Sequence, residues 1–139
     1  MNGETRRLLE QHYSAWSKSD VEGILACFTD DCVFEDMALQ TQFDGKEGVR
    51  GFAQATFAAI PDFRWTPTII LIDGSRVASE WRMTGTQTGD FPGIPATGKS
   101  FSVPGASVLE IRAGKICRNR DYWSLATYLG QLGLMPKAG

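Results

Sequence analysis

The spacing of apolar residues changes once along this chain, near Pro61, and that change restricts the folds open to it. Before Pro61 apolar positions recur at helical spacing: Leu8, Leu9, His12, Tyr13 and Trp16, then Val21, Ile24, Leu25 and Phe28, then Val49, Phe52, Ala53, Thr56, Phe57 and Ile60. Ser19 with Glu22 reads as a capping box opening the second helix, Asp44 with Glu47 opens the third, and Pro61 stops it. Only Cys32 to Asp36 alternates in this half, as a strand would. After Pro61 the period is two. Trp65 to Ile72 and Val77 to Thr86 flank an Asp73-Gly74 hairpin signal; after a Gly/Pro-rich loop, Ser100 to Ile111 turns at Arg112 to Gly114 into a final strand ending at Trp123. Pro104 falls inside the long strand, which predicts a bulge or an edge there. Three N-terminal helices packed on one face of a curved, mostly antiparallel sheet satisfy this order, an α+β arrangement spanning residues 1–139 as one domain.

The remaining composition excludes more than it selects. With 139 residues, 42% hydrophobic and 22% charged, the chain can close one core but not two. A formal charge of −2 with interspersed signs leaves no basic face for nucleic acid and no polybasic segment for a membrane surface. No apolar run is long enough to span a bilayer, and Cys27, Cys32 and Cys117 lack CxxC spacing, so reduced structural thiols and a cytoplasmic location are the expectation. His12 is the only histidine and reads as a partly exposed helix residue. With no cluster of His, Cys and carboxylates, neither a metal nor a cofactor is expected. The glycine-rich stretch from Gly85 to Gly98 precedes no helix, so it reads as a strand connection or lid rather than a phosphate cradle.

Asp121 is the residue with chemical promise. It lies in the alternating run Gly114 to Trp123, which turns Asn119, Asp121 and Trp123 to the same side. A carboxyl group facing an apolar interior needs a partner or a task, because burial disfavours its charged form and moves its pKa toward that of a useful general base. A salt bridge to an arginine or a hydrogen bond to Tyr13 would be the structural alternative.

GIPATGKSFSV, RDYW and the closing YLGQLGLMP, with FTDDCVFED near the start, resemble the SnoaL-like polyketide cyclases of the nuclear transport factor 2-like (ketosteroid isomerase-like) superfamily. The resemblance covers nearly the whole chain. It implies a cone-shaped fold enclosing a pocket, and pairing through the sheet as a homodimer. It also implies an acid/base role for Asp121, and places Asp36 where the steroid isomerases keep a proton-abstracting aspartate. An Asx turn is the rival reading of Asp36.

Alternation, supported by the resemblance, assigns an inner face to Phe34 and Asp36, to Trp81 and Met83, to Phe101, Val103, Gly105, Ser107 and Leu109, and to Asn119, Asp121 and Trp123. Tyr13, Trp16, Phe52 and Phe57 would close the cup from the helices; of the four tryptophans, Trp16 and Trp81 are expected to touch a ligand, Trp65 and Trp123 to be core. Glu80, Arg82, Arg118 and Arg120 take the outer face. Ser107 stands where the resembled cyclases carry a histidine, and Tyr13 matches the isomerase oxyanion tyrosine after a one-residue gap. Trp81 and Met83 replace the Arg and Asp that an epoxide hydrolase would need.

The expectation is a cofactor-independent carbon-acid enzyme for a flat hydrophobic ketone, a cyclase by intramolecular aldol addition or a ketone isomerase. Asp121 and Asp36 would act as acid and base, and Tyr13, Ser107 and Asn119 would hold substrate oxygens. A binding or accessory domain using the same pocket without turnover is the alternative.

Overall fold

The computed structural model describes residues 2–91 and 93–135. Pro136, which ends the YLGQLGLMP motif, lies outside the described residues, as does Pro92 in the glycine-rich loop. The order is α1 (Asn2–Ser17), α2 (Val21–Leu25), β1 (Phe28–Asp36), β2 (Thr41–Asp44), α3 (Gly45–Ala59), β3 (Arg64–Asp73), β4 (Arg76–Thr86), β5 (Ser100–Arg112), β6 (Lys115–Trp123) and α4 (Leu125–Gln131). The strands form one six-stranded sheet in the order β2-β1-β6-β5-β4-β3, antiparallel except for the β1–β6 pair. Parallel pairing of β1 and β6 sets Asp36 directly opposite Asp121. The two acids are therefore neighbours across one ladder although they lie in opposite halves of the chain.

Two elements were not expected. β2 is a four-residue edge strand, TQFD, pairing with the end of β1, and α4 is a seven-residue helix capped by Ser124, whose Oγ accepts the Thr127 amide hydrogen at 3.1 Å. Gln131 fastens α4 to β5, accepting from Ser102 N at 2.7 Å and donating to Ser102 O at 3.0 Å. The capping box at Ser19 is replaced by Asp20: Ser19 adopts φ 54°, and the Asp20 carboxylate accepts from Gly23 N at 3.0 Å. Glu22 pairs with Arg50 instead. Asp44 does precede α3, but its side chain takes a hydrogen from Gln42 rather than capping the helix. In the β3–β4 hairpin the connecting residues are Gly74 and Ser75, with Asp73 still paired to Arg76. Pro104 lies one residue beyond the last β5–β6 pair, so its missing N–H costs no ladder bond on that side.

The helices and the inner sheet face enclose the core. Leu9, Tyr13 and Trp16 from α1, Val49 and Ala53 from α3, and Phe34, Trp81, Val103, Leu109 and Ile116 from the sheet are all buried. His12 joins them at 0% exposure, against the expectation of a half-exposed position. It sits among Tyr13, Trp16, Phe28 and Trp65 with neither ring nitrogen hydrogen-bonded, and burial pulls its pKa down to about 3. A neutral imidazole there is an aromatic filler, not a base for pH 7 chemistry. The outer sheet face carries Arg118 and Arg120 around Glu35, with Ile69, Leu71, Val108 and Tyr122 exposed.

Candidate functional site

Asp121 is 3% exposed and reaches the inner face because residues 119, 121 and 123 share one side of β6. Its Oδ1 accepts two hydrogens, from Ser107 Oγ at 2.6 Å and from Asn119 Nδ2 at 2.9 Å. Ser107 in turn accepts from Trp81 Nε1 at 2.8 Å. Neither the arginine nor the Tyr13 partner considered from sequence is bonded to Asp121; Tyr13 Oη pairs with Ser79 Oγ. Oδ2 of Asp121 has no hydrogen-bond partner among the described residues, and Asp121 lines a partly open cavity. Desolvation raises the Asp121 pKa to about 7, aided by the charge of Asp36 and opposed by the Ser107 and Asn119 hydrogen bonds.

Asp36 lines the same cavity with different bonding. Its Oδ1 accepts from Leu39 N at 2.9 Å and its Oδ2 from Trp123 Nε1 at 3.0 Å. The Asx-type bond considered from sequence forms, and the same side chain lines the cavity. Burial raises the Asp36 pKa while these donors oppose the shift. Both of its oxygens are engaged, so the unengaged oxygen of the pair belongs to Asp121.

The rest of the wall is apolar. Trp16, Phe52 and Thr56 come from the helices, Ile60 and Phe63 from the turn after α3, Trp65, Trp81 and Met83 from β3 and β4, and Phe101, Trp123 and Tyr128 from the C-terminal half. Leu39, Phe91 and Ile94 close the outer end, and Leu39 and Ile94 also border a surface groove with Leu125 and Leu129. The glycine-rich loop is thus a cover, held from beneath by buried Gln87, which bonds Thr97 and the Ile94 carbonyl. The cavity encloses about 60 Å³. That is room for on the order of five water molecules, so a multi-ring ligand requires the cover to move outward.

Of the expected site residues, Asp121, Asp36, Trp16, Phe52, Trp81 and Met83 converge on this cavity. Ser107, Asn119, Tyr13 and Phe34 are buried but are not on its wall. The hydroxyl and amide expected to hold substrate oxygens are committed to Asp121, and Tyr13 to Ser79. Phe34 packs behind Phe52 and Trp16. Trp65, expected to be core alone, lines the cavity, and so does Trp123, which was assigned the inner face without ligand contact, whereas Phe57, Val103, Gly105 and Leu109 do not. Strand parity assigns a face; depth along the curved sheet follows from which aromatic ring lies over which position. Cys27 and Cys32 are buried, and desolvation raises both thiols, Cys32 to about 11, which keeps them from serving as thiolates. Among the described residues no three His, Cys, Asp or Glu side chains converge as metal ligands, and no helix is long and apolar enough to cross a membrane.

Residues 9–119 match the SnoaL-like domain, and the chain belongs to that family. No curated protein matches it. Among solved structures it is similar to a protein of ketosteroid isomerase-like fold from Catenulispora acidiphila, in complex with trimethylamine, at 26% identity and TM-score 0.82, covering 92% of this chain and 93% of that one. It is also similar to IdmH from Streptomyces antibioticus, a candidate polyketide cyclase, at 27% identity and TM-score 0.80 over 93% and 98% of the two chains. A candidate SnoaL-like polyketide cyclase from Jannaschia superposes with TM-score 0.85 at 17% identity over 96% and 94%, a likeness of fold alone. The fold is therefore the α+β cone of the ketosteroid isomerase-like proteins, and the family is one of cyclase or isomerase-type pocket proteins.

Proposed function

We propose that the protein is a cofactor-independent carbon-acid enzyme in which Asp121 Oδ2 removes a proton alpha to a ketone. The observation that carries this reading is the single unengaged carboxylate oxygen at a partly open, aromatic-walled cavity. The proton passes from the α-carbon to Oδ2, leaving an enolate. In a cyclisation the enolate carbon forms a bond to a second carbonyl carbon of the same molecule, whose oxygen becomes an alkoxide and takes the proton back from Oδ2. In an isomerisation the proton returns at another carbon. Either way the aspartate is regenerated and product is an isomer of substrate. Asp36 tunes this cycle electrostatically: its charge favours the protonated form of Asp121, which strengthens the base at the cost of its ionised fraction.

A base with a pKa near 7 matches neutral pH, where both proton removal and return are accessible. The substrate is a small flat hydrophobic ketone that meets the aromatic wall. Deuterium exchange into simple cyclic ketones tests the reading. Exchange should be enzyme-dependent, rise with pH to a plateau above about 7, and fall at least a hundredfold in Asp121→Asn, as general-base catalysis contributes about 10²–10⁴-fold. Equal exchange by wild type and Asp121→Asn sinks it.

A second reading, a ligand-binding domain without turnover, is favoured by Ser107 at the position where the family resemblance implies a histidine; it predicts ketone binding with no exchange in the same assay. Under either reading the chain works as one domain over residues 1–139, in the cytoplasm, as a homodimer through the outer sheet face, where Ile69, Leu71, Val108 and Tyr122 are exposed. A monomer by light scattering refutes the pairing.

A further inference from the structure

Among the described residues, the cavity has no positive charge to set against its two carboxyls. Asp36 and Asp121 are its only formally charged lining residues, and no Lys, Arg or His is on the wall. The ion pairs among the described residues join Glu22, Asp30, Asp31, Glu35 and Glu47 to Lys46, Arg50, Arg112, Arg118 and Arg120, none of which lines the cavity. Hydrogen bonds reach three of the four carboxyl oxygens but bring no countercharge. The other titratable groups nearby are neutral: burial raises the phenols of Tyr13 and Tyr128, the latter to about 12, and keeps His12 uncharged.

Around this acidic pair the wall is aromatic, and its rings pack edge to face on one another. Trp16 meets Trp65 at 90°, Trp65 meets Trp81 at 81°, and Trp123 meets Tyr128 at 85°. Ring faces are electron-rich and attract cations that have shed their water, alkylated ammonium groups above all. A small volume bounded by aromatic rings and two carboxyls favours one kind of guest.

We propose that the ligand of this cavity presents a tertiary or quaternary alkylammonium group, seated against the aromatic wall with its charge toward Asp36 and Asp121. The proposal rests on the cavity being the ligand site, and not on turnover there; under the carbon-acid reading the same molecule carries the ketone and the ammonium group. A primary ammonium would need three hydrogen-bond acceptors in the pocket; an alkylated one needs few or none and gains from contact with rings instead. Binding of the cation stabilises the ionised form of Asp121, so it expels a proton from the site near neutral pH.

Titration calorimetry of the full chain with tetramethylammonium chloride, against the neutral isostere tert-butanol, tests this. The cation should bind at least tenfold more tightly, and its affinity should increase from about pH 5.5 to about pH 8 as Asp121 ionises, with proton release evident in buffers of different ionisation heat. Asp121→Asn and Asp36→Asn, if folded by circular dichroism, should each weaken the cation at least tenfold and change tert-butanol binding by a smaller factor. Binding of tert-butanol equal to that of the cation, undetectable cation binding, or a pH-independent affinity in the unmodified protein overturns the proposal. The ketone exchange assay is independent of all three results, so a failure here does not count against the carbon-acid reading.

Discussion

Ser107 has one hydrogen to give, and Trp81 decides where it goes. An indole N–H is a donor only, so the 2.8 Å contact from Trp81 Nε1 occupies an acceptor lone pair of Ser107 and leaves its hydrogen for Asp121 Oδ1. With Asn119 donating to the same Oδ1, a proton carried by Asp121 has its place on Oδ2, the oxygen that faces the cavity. Both the acid and the base therefore act through one atom. Removing the donor should raise the Asp121 pKa above its already elevated value of about 7, because the lost hydrogen bond favours the carboxylate. A charge-assisted bond contributes about 1.5–3 kcal/mol, so Ser107→Ala should move the titration midpoint upward by roughly one to two pH units, and Trp81→Phe by less because Ser107 keeps its hydroxyl. Carbon-13 NMR of the Asp121 carboxyl measures it directly. An unchanged or lower value would mean the serine does not stabilise the charge.

At the scale of elements, β5 shows why the indole can reach that serine. Gly105 is opposite Trp81 in the β4–β5 ladder, and a Cβ there would lie 2.4 Å from Trp81 Cη2 and 2.8 Å from the Tyr122 carbonyl oxygen. The carbonyl belongs to the backbone and cannot swing aside, so Gly105→Ala should expel the indole from its seat, break the Trp81–Ser107 bond and destabilise by about 1–3 kcal/mol. Gly51 in α3, with open space where its Cβ would be, is the control: Gly51→Ala should stabilise by about 0.5–1 kcal/mol, and urea unfolding of both variants checks the pair. What the sequence disclosed at this scale follows from periodicity. The long strands, α1 and α3 were legible because apolar residues repeat over several turns or pleats; α2, only five residues long, was read from Val21, Ile24 and Leu25, but the stripe extended to Phe28 overran it, since Phe28 begins β1. β2 was not, because four residues of TQFD carry no alternation, and α4 was not, because seven residues of LATYLGQ hold too few turns for a stripe. Asp36 and Asp121 were readable as inward-facing from strand parity supported by the family resemblance. That they stand opposite each other required the parallel β1–β6 pairing, a long-range fact with no local signature. The covering residues Leu39, Phe91, Ile94 and Tyr128 come from loops and α4, where no period exists to read.

Over the whole molecule, two buried groups act on stability in opposite directions. His12, at about 3 when folded against an ordinary 6.5, is neutral in the fold but protonated in the unfolded chain between those values, so its contribution to stability is lost as pH falls from 6.5 toward 3. Asp121, at about 7 when folded against 3.8, is protonated in the fold but ionised in the unfolded chain across its window. Its contribution is complete below 3.8 and is lost as pH rises toward 7. From about pH 4 to about 6.5 each state thus holds one proton on this pair, the unfolded chain on His12 and the fold on Asp121, and the two slopes cancel to first order. Each slope alone is worth up to roughly 4–5 kcal/mol across its full range, since stability changes by about 1.4 kcal/mol for every pH unit between the folded and unfolded pKa values. Asp36, raised like Asp121, tilts the sum slightly toward acid. Separating them is therefore the sharpest test of the interior's electrostatics. Asp121→Asn should expose the histidine slope and gain stability steadily from pH 4 to 6.5. His12→Leu should expose the aspartate slope and lose stability from pH 4 to 7, from a higher starting point because the leucine leaves no unpartnered ring nitrogens. Urea midpoints of both variants and the unmodified chain across that range would show two lines of opposite sign flanking a nearly flat one. Parallel profiles in all three would mean that neither group is buried in the charge state its surroundings impose.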